Sequence, residues 1–214
     1  MKAYCFLSAV PMRSQPSDRA EMVNQLLQGD TFDILESQPQ WSYIRCHYDG
    51  YEGWVDNKQW QPFDPSQCGT AHTLPAAASP ATVAEQQYLG APYLWGGRTQ
   101  MGIDCSGLTQ VCFKACGVRL LRDASQQATQ GTLVPTLTEA RRDDLCFFNN
   151  NQGKIIHVGI YLGEGKIIHA SGQVRIDTLT AEGIINDSPR GSLNRTPFTR
   201  QLTHTLHSIR RISL

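Results

Sequence analysis

The fold is decided by the segment Ile103-Asp104-Cys105-Ser106-Gly107-Leu108-Thr109-Gln110-Val111-Cys112-Phe113-Lys114. Apolar residues recur at roughly helical spacing behind Cys105, which predicts a helix from about 105 to 116. Cys105 would be the first residue or the cap of this helix. The helix dipole and unpaired backbone N–H groups would then favour the thiolate, which is the nucleophilic form of cysteine. The alternative is a buried structural cysteine, but the polar neighbours Asp104 and Ser106 argue against burial.

Composition limits the classes of protein that this chain can be. It has 214 residues, 40% of them hydrophobic, and a formal net charge of zero. That is enough for one large domain, or for a small and a medium one. The balanced charge argues against nucleic acid or an anionic membrane surface as a partner. No stretch approaches the roughly 20 apolar residues of a membrane span.

The cysteines and the first residues bear on the compartment. The seven cysteines are an odd number without framework spacing, which favours a reducing environment. Cys112 and Cys116 are four residues apart, but no second pair stands at ligand spacing, so we interpret them as core residues and not as zinc ligands. Residues 3–10 only faintly resemble a secretion signal. We interpret them as a first strand and expect a cytoplasmic protein.

Residues 1–64 predict a small β-barrel. Apolar and polar residues alternate over 31–35 and 41–46, and Asp49-Gly50 is a hairpin signal before the strand 51–55. Several short strands at close spacing are typical of such barrels. The segment 21–27 fits either a short helix or an irregular strand. Residues 65–79, rich in proline and alanine, predict a linker.

Residues 80–214 predict a second domain with helices and an antiparallel sheet. We expect a helix over 80–89, strands at 144–148, 155–162 and 166–171, a loop-rich segment at 183–200 and a last strand at 201–212. The loop 91–97 combines aromatic residues with Gly96 and Gly97. It forms either a core contact or a wall where a ligand meets the backbone.

A base for Cys105 is expected from His157 and His169, which each interrupt an apolar strand of one predicted hairpin. An even-numbered hairpin loop would turn the two imidazoles to opposite faces of the sheet. A three-residue loop at 163–165, with Gly165 in the left-handed conformation, would place both on one face, roughly 7 to 8 Å apart. We predict the three-residue loop.

The three residues together form a catalytic arrangement. Cys105 would be the nucleophile, His157 the base and His169 the group that orients the base. The small cross-strand partners Gly159 and Ser171 would leave room for the helix end to approach. The backbone N–H of Cys105 is a candidate oxyanion donor.

Six motifs resemble the NlpC-type cysteine peptidases that cut bacterial cell-wall peptides, and they occur in that family's order over residues 80–212. They are Tyr93-Leu94-Trp95-Gly96-Gly97, Asp104-Cys105-Ser106-Gly107, Arg122-Asp123-Ala124-Ser125-Gln126-Gln127, Asp144-Leu145-Cys146-Phe147-Phe148, His157-Val158-Gly159-Ile160-Tyr161 and Ile168-His169-Ala170-Ser171. The run Gly50-Tyr51-Glu52-Gly53-Trp54-Val55 resembles the closing strands of bacterial SH3-like domains.

The resemblance implies a papain-like α+β domain, a helix packed on an antiparallel sheet, behind an SH3-like barrel. It implies hydrolysis of the γ-D-glutamyl to diamino acid bond of murein peptides with a free N-terminal L-alanine, through an acyl-enzyme on Cys105. No metal or other cofactor is implied, and we expect a monomer.

The resemblance also implies roles for the residues that would bind substrate. Asp104 would contact the substrate amine, with Tyr93 and Trp95 lining the subsite, and Ser106 would lie near the glutamyl carboxylate. The remaining expected substrate-binding residues are Glu21, Tyr51 and Ser125. Two alternatives stay open: a non-catalytic module that binds wall peptides, and an amidase or acyltransferase on the same scaffold.

Overall fold

The computed structural model describes residues 1–64, 79–186 and 201–214. The predicted linker, apart from Ser79, and residues 187–200 of the predicted loop lie outside the described residues. The described part forms two domains that are packed against each other. None of its helices is long and apolar enough to cross a membrane.

The first domain is a β-barrel with an apolar centre. Its seven strands form one antiparallel sheet in the order β3-β2-β6-β5-β4-β1-β7, folded around buried residues such as Met12, Phe32 and Ile44. The strands are β1 (Lys2–Tyr4), β2 (Ala9–Arg13), β3 (Met22–Leu27), β4 (Thr31–Ser37), β5 (Trp41–Cys46), β6 (Glu52–Asp56) and β7 (Gln61–Pro62). The barrel prediction is confirmed, and the ambiguous segment 21–27 is a strand.

The second domain combines three helices with a larger sheet. The helices are α1 (Pro80–Val83), which continues as a π-helical turn (Ala84–Tyr88), α2 (Cys105–Ala115) and α3 (Ala124–Gln127). The strands are β8 (Arg98–Thr99), β9 (Gly102–Ile103), β10 (Thr132–Val134), β11 (Leu145–Asn149), β12 (Ile155–Gly163), β13 (Lys166–Ser171), β14 (Gln173–Leu179), β15 (Gly183–Asn186) and β16 (Gln201–Arg211). The helices and strands predicted for this domain are confirmed.

The larger sheet closes on itself. Strands β11 to β16 pair in sequence order, and β16 pairs with both β15 and β11, so six strands form a ring. The sequence predicted a helix packed on a sheet, which is confirmed, but not this closure. Strands β10, β14 and β15 were not predicted, and residues 183–186, expected to be loop, form β15.

The two faces of this sheet carry different cores because strand side chains alternate. Val158, Ile160 and Ile168 pack with helix α2, whereas Phe148 and Tyr161 lie with the residues inside the ring. Helix α2 therefore covers the outside of the ring, with its N-terminus near the start of β12.

The β12–β13 hairpin has the predicted pairing with a different turn. Gly159 pairs with His169 as expected, but the register shifts between Tyr161 and Gly163, and Gly163 pairs with Lys166. The loop therefore has two residues, Glu164 and Gly165, both with positive φ (51° and 68°). The prediction of a three-residue loop was wrong. A bulge supplies the odd residue that keeps the two histidines on one face.

A buried polar interface joins the two domains. Asp30 of the barrel accepts hydrogen bonds from Arg98 (3.1 Å) and Lys114 (2.7 Å) of the second domain. Burial alone would raise the pKa of Asp30, but these two cations hold it below its usual value. At Gly96, a Cβ would lie 2.6 Å from the Met22 carbonyl oxygen, so only glycine allows the domains to approach so closely. The glycines of the predicted loop thus meet the protein's own backbone.

Candidate active site

Cys105 occupies the first position of helix α2, as predicted. Asp104 caps the helix, and its Oδ1 accepts a hydrogen bond of 2.6 Å from the Gly107 N–H. Gly107 has to be small, because a Cβ there would lie 2.3 Å from the Gly97 carbonyl oxygen. The helix start is therefore packed tightly against the preceding loop, which fixes the position of the thiol.

The environment of Cys105 favours the neutral thiol. Burial and the nearby Asp104 carboxylate raise the pKa of Cys105 to about 12, although hydrogen bonds with the Val158 and Ser106 backbone act in the opposite direction. The expectation that the helix N-terminus favours the thiolate was therefore wrong. It considered the helix dipole but not the desolvation of the sulfur.

The two predicted histidines are in direct contact. His157 Nε2 and His169 Nδ1 are 2.9 Å apart, and the ring centroids are separated by 5.1 Å. Both side chains are buried on the face that lines the inside of the ring, whereas helix α2 packs on the opposite face. Whether the helix end also approaches on the histidine face stays a prediction. In the described part of the chain, no hydrogen bond joins the Cys105 thiol to His157. The thiol lies against the backbone of Val158, the residue after His157.

Two residues absent from the sequence prediction complete this cluster. His204, on β16, stacks on the His157 ring at a centroid distance of 4.3 Å. Asp177, on β14, is buried, and its Oδ2 lies 3.1 Å from His169 Nε2. Burial and the neighbouring His169 and His204 keep the pKa of His157 well below its usual value, so its imidazole is neutral and can act as a base.

Cys105 opens into a cavity of about 430 Å³ formed by both domains. The first domain contributes Glu21, Val23 and Tyr51. The second contributes the start of helix α2 together with Trp95, Arg122, Asp123, Ala124, Ser125 and the hairpin residues Lys154, Ile155 and Ile156. His157 lines a neighbouring cavity of about 240 Å³ that shares Ile156 with the first.

Two family models match the chain, one in each domain. Residues 90–188 match the NlpC/P60 family, and residues 12–59 match the bacterial dipeptidyl-peptidase Sh3 domain. The second domain is an NlpC/P60 domain. The first is a bacterial SH3-like domain, as the resemblance implied. Both matches lie inside the predicted domains, whose exact boundaries stay a prediction.

Several relatives are similar to part of this chain. A γ-D-glutamyl-L-lysine dipeptidyl-peptidase of Bacillus subtilis is 48% identical over 85 residues, which cover 39% of this chain and 28% of that protein. A protein of the same name from Bacillus cereus is 36% identical over 107 residues, covering 48% of this chain and 32% of that protein. The chain thus spans under a third of the length of these two relatives.

Solved structures also cover nearly the whole chain. The crystal structure of an NlpC/P60 family protein from Bacillus cereus has a TM-score of 0.50 and 22% sequence identity, and covers 98% of this chain and 62% of that one. At this identity the likeness supports the fold alone. It agrees with the predicted papain-like domain behind an SH3-like barrel.

Asp104 lines the larger cavity, where its carboxylate is paired within the protein, and its contact with a substrate amine stays a prediction. Its carboxylate forms a two-pronged ion pair with Arg122, at 3.1 and 2.6 Å, and also accepts hydrogen bonds from the N–H groups of Gly96 and Gly107. Its charge is neutralised and its oxygens are occupied, so it is a structural cap in the cavity wall. Arg122 also donates to Ser106 Oγ at 2.9 Å, which fixes the orientation of that hydroxyl.

The two predicted aromatic residues lie in different cavities. Trp95 lines the larger cavity, and its Nε1–H donates to Glu21 Oε1 at 2.7 Å. Tyr93 lines the smaller cavity with His157. Burial and the Cys105 sulfur raise the pKa of Tyr93 to about 12, which places its hydroxyl near the nucleophile. The subsite expected to be shared by Tyr93 and Trp95 stays a prediction.

The remaining predicted residues, Glu21, Tyr51 and Ser125, all line the larger cavity. Sequence analysis missed Asp123, which lies there beside Tyr51, although it stands inside one of the quoted motifs. Burial and the Asp123 carboxylate raise the pKa of Tyr51 to about 12. Within the described ranges, no group of His, Cys, Asp and Glu side chains is arranged to hold a metal ion.

Proposed function

We propose that this protein is a cysteine endopeptidase that cleaves the γ-D-glutamyl to diamino acid bond of murein peptides bearing a free N-terminal L-alanine. The observation that carries the proposal is the cavity shared by the two domains. Glu21 and Tyr51 of the SH3-like domain line it together with Cys105. A cavity lined by both domains and by the nucleophile suits a short peptide terminus.

The wall of this cavity suits an ammonium group. Glu21 and Asp123 line it, and neither forms a salt bridge within the described residues, whereas Asp104 is neutralised by Arg122. A buried ammonium is stable only when carboxylates and hydrogen-bond acceptors surround it. The substrate amine would therefore bind Glu21 and Asp123, with the Tyr51 hydroxyl between them.

The neutral thiol has to lose its proton as it attacks, which requires a general base. The thiol is neutral at physiological pH and His157 is neutral as well, so the proton passes from sulfur to imidazole as sulfur attacks the carbonyl carbon. The backbone N–H of Cys105, at the helix start, is placed to donate to the oxyanion. Collapse breaks the C–N bond, and His157 returns the proton to the leaving amine. Water then releases the acyl group from Cys105.

The smaller cavity fits the leaving group. It lies beside His157, which must protonate the departing amine, and its other walls include Tyr93, Ser171 and His204. The peptide would therefore run from the acidic wall, over Cys105, toward His157. In this path the diamino acid occupies the smaller cavity.

Mass spectrometry of the products of synthetic L-alanyl-γ-D-glutamyl-diamino acid peptides tests the reaction. We expect cleavage at the glutamyl bond, loss of cleavage in Cys105→Ala, and retention in Cys116→Ser, which changes a cysteine at the other end of the same helix. Cleavage that persists in Cys105→Ala would refute the proposal. Binding of the peptide without any cleavage by the unmodified protein would favour the non-catalytic alternative.

A second comparison tests recognition of the amine. The N-acetylated peptide has no charge to bind, so it should be cleaved poorly by the unmodified protein. Glu21→Gln should raise KM for the free-amine peptide about tenfold, because a hydrogen bond between charged groups is lost. Glu36→Gln, an exposed change in the same domain, should have no effect. Equal cleavage of both peptides would remove the amine-binding role.

A cytoplasmic location, with the protein acting as a monomer on released wall fragments, stays part of the proposal. The odd number of cysteines without framework spacing supports a reducing compartment. Cell fractionation with an antibody against the full chain tests the location, and sedimentation tests the monomer. Recovery in the wall fraction would contradict it.

A further inference from the structure

A buried carboxylate stands behind the predicted catalytic residues. Asp177 Oδ2 lies 3.1 Å from His169 Nε2, and His169 Nδ1 lies 2.9 Å from His157 Nε2. The side chains of all three residues are almost completely buried. They form a continuous line of hydrogen bonds from β14 through β13 to β12.

The Asp177 carboxylate determines which ring nitrogen of His169 and of His157 carries the proton. An ionised carboxylate only accepts hydrogen bonds, so His169 must carry its proton on Nε2. A neutral imidazole has one N–H, so His169 Nδ1 is an acceptor. His157 must then donate from Nε2, and its lone pair lies on Nδ1. That nitrogen is the one left to take a proton.

We propose that Asp177 is a positioning residue that sets the tautomer of His157 through His169. The proposal deepens the proposed function, since it concerns the base that would activate Cys105. Asp177 touches no reacting atom and acts only through His169. The triad expected from the sequence is therefore extended by a fourth residue.

The groups around this line are compatible with an ionised Asp177. Arg175 Nη2 donates to Asp177 Oδ1 at 2.8 Å. Burial alone would raise the pKa of Asp177, but hydrogen bonds from His169 and Arg175 hold it below its usual value. Among the described residues, a third imidazole also faces this line: His204 stacks on His157, and burial and His169 lower its pKa to about 4.

The substitution Asp177→Asn should exchange donor and acceptor in each hydrogen bond of this line. Arg175 is a donor only, so the amide introduced at position 177 would turn its oxygen toward Arg175 and its NH2 group toward His169. His169 Nε2 would then become an acceptor and Nδ1 a donor. His157 would be forced to carry its proton on Nδ1, and its basic nitrogen would be lost to the nucleophile.

The experiment combines two measurements that need no peptide substrate. Long-range ¹H–¹⁵N spectra at neutral to mildly alkaline pH report which nitrogen of each histidine is protonated. Mass spectrometry of the Cys105 peptide gives the rate of its alkylation by iodoacetamide. We expect His169 to carry its proton on Nε2 in the unmodified protein and on Nδ1 in Asp177→Asn, with alkylation of Cys105 about 10- to 100-fold slower. The same loss should appear in kcat, with little change in KM.

Asp144→Asn is the matched control. Asp144 is a buried carboxylate of the same domain with a two-pronged partner, Arg211, and it does not contact the histidines. Its substitution should lower stability without changing the tautomers or the alkylation rate. If His169 of the unmodified protein carries its proton on Nδ1, or if both variants alkylate Cys105 equally fast, the proposal is overturned.

A double variant separates the tautomer from the charge. In Asp177→Asn/Arg175→Met the amide can turn its oxygen toward His169, so part of the alkylation rate should return. A double variant as slow as Asp177→Asn would assign the effect to lost charge and overturn the proposal. A failure of the proposed function looks different: the spectra and alkylation would follow expectation while the murein peptide stays uncleaved.

Discussion

Replacing Arg122 with methionine should destabilise the protein more than any other single change of a surface or buried cation described above. The Arg122 side chain is 1% exposed and donates to Asn24 of the SH3-like domain, to both oxygens of Asp104 and to Ser106. Methionine fills a similar volume but satisfies none of these acceptors. Asp104 would be left as a buried carboxylate without its cation.

The magnitude follows from the cost of leaving a charge buried and unpaired. Removing one partner of a buried ion pair costs about 3–5 kcal/mol. For a protein of this size each kcal/mol lowers the melting temperature by about 2–4 °C. We therefore expect the melting temperature of Arg122→Met to fall by about 6–20 °C.

Urea unfolding and thermal melts measure this, with two comparison variants. Arg211→Met also breaks a two-pronged pair, with Asp144, but the Arg211 side chain is 35% exposed, so water can replace it and the loss should be much smaller. Asp104→Asn/Arg122→Met removes both charges and keeps a helix-capping side chain, so it should recover about half of the single-variant loss. If Arg122→Met costs no more than Arg211→Met, the buried-charge argument is refuted.

Three further predictions test other parts of the molecule. Asp30→Asn should cost about 3 kcal/mol at neutral pH and reduce the acid sensitivity of unfolding, because the lowered pKa of Asp30 adds stability above the unfolded value of about 4 that is lost as pH falls through the folded value; equal acid sensitivity in both proteins would contradict it. His204→Phe should keep the stacking on His157 and make the protein relatively more stable in acid, by up to about 3 kcal/mol. The reason is that, between pH 6.5 and about 4, His204 binds a proton in the unfolded state but not in the folded state, where its pKa is about 4. A difference in stability that is independent of pH would refute it. Lys154→Gln should raise KM about two- to fivefold for the γ-D-glutamyl peptide and leave the amidated D-isoglutaminyl peptide unaffected, because Lys154 lines the Cys105 cavity and a γ-linked glutamate presents a free carboxylate; steady-state kinetics with both peptides decides this, and an equal effect on both would refute it.

The helix that carries Cys105 could be predicted because its signals are local. A capping aspartate, an apolar repeat and a terminal glycine are all read within 15 residues, and the structure places Cys105 first in α2. The common face of His157 and His169 was also predictable, because it depends only on parity along one hairpin. The error in the turn type does not change this result, because a two-residue loop with one bulged residue has the same odd count as a three-residue loop.

Asp177 could not be predicted, because at this point of its strand the polar side chain is buried and the neighbouring apolar side chain is exposed. In β14 the apolar Ile176 is 37% exposed, whereas Asp177 is 3% exposed. Binary patterning therefore indicates the wrong inward face for this residue. The register between β13 and β14, in which His169 pairs with Arg175, brings the next inward side chain of β14 to the imidazole.

The carboxylates of this site differ in burial and in their partners, and these two properties indicate which of them orient neighbouring groups and which are available to a ligand. Asp104 and Asp177 are both buried and each faces an arginine, so each serves to orient a neighbour: the helix start in one case and an imidazole in the other. Glu21 and Asp123 are more exposed and line the cavity without a salt bridge in the described part of the chain. From the sequence alone, the position of Asp104 next to Cys105 therefore suggests a ligand for the substrate amine. The arginine that neutralises it follows 18 residues later, and only the fold brings the two together.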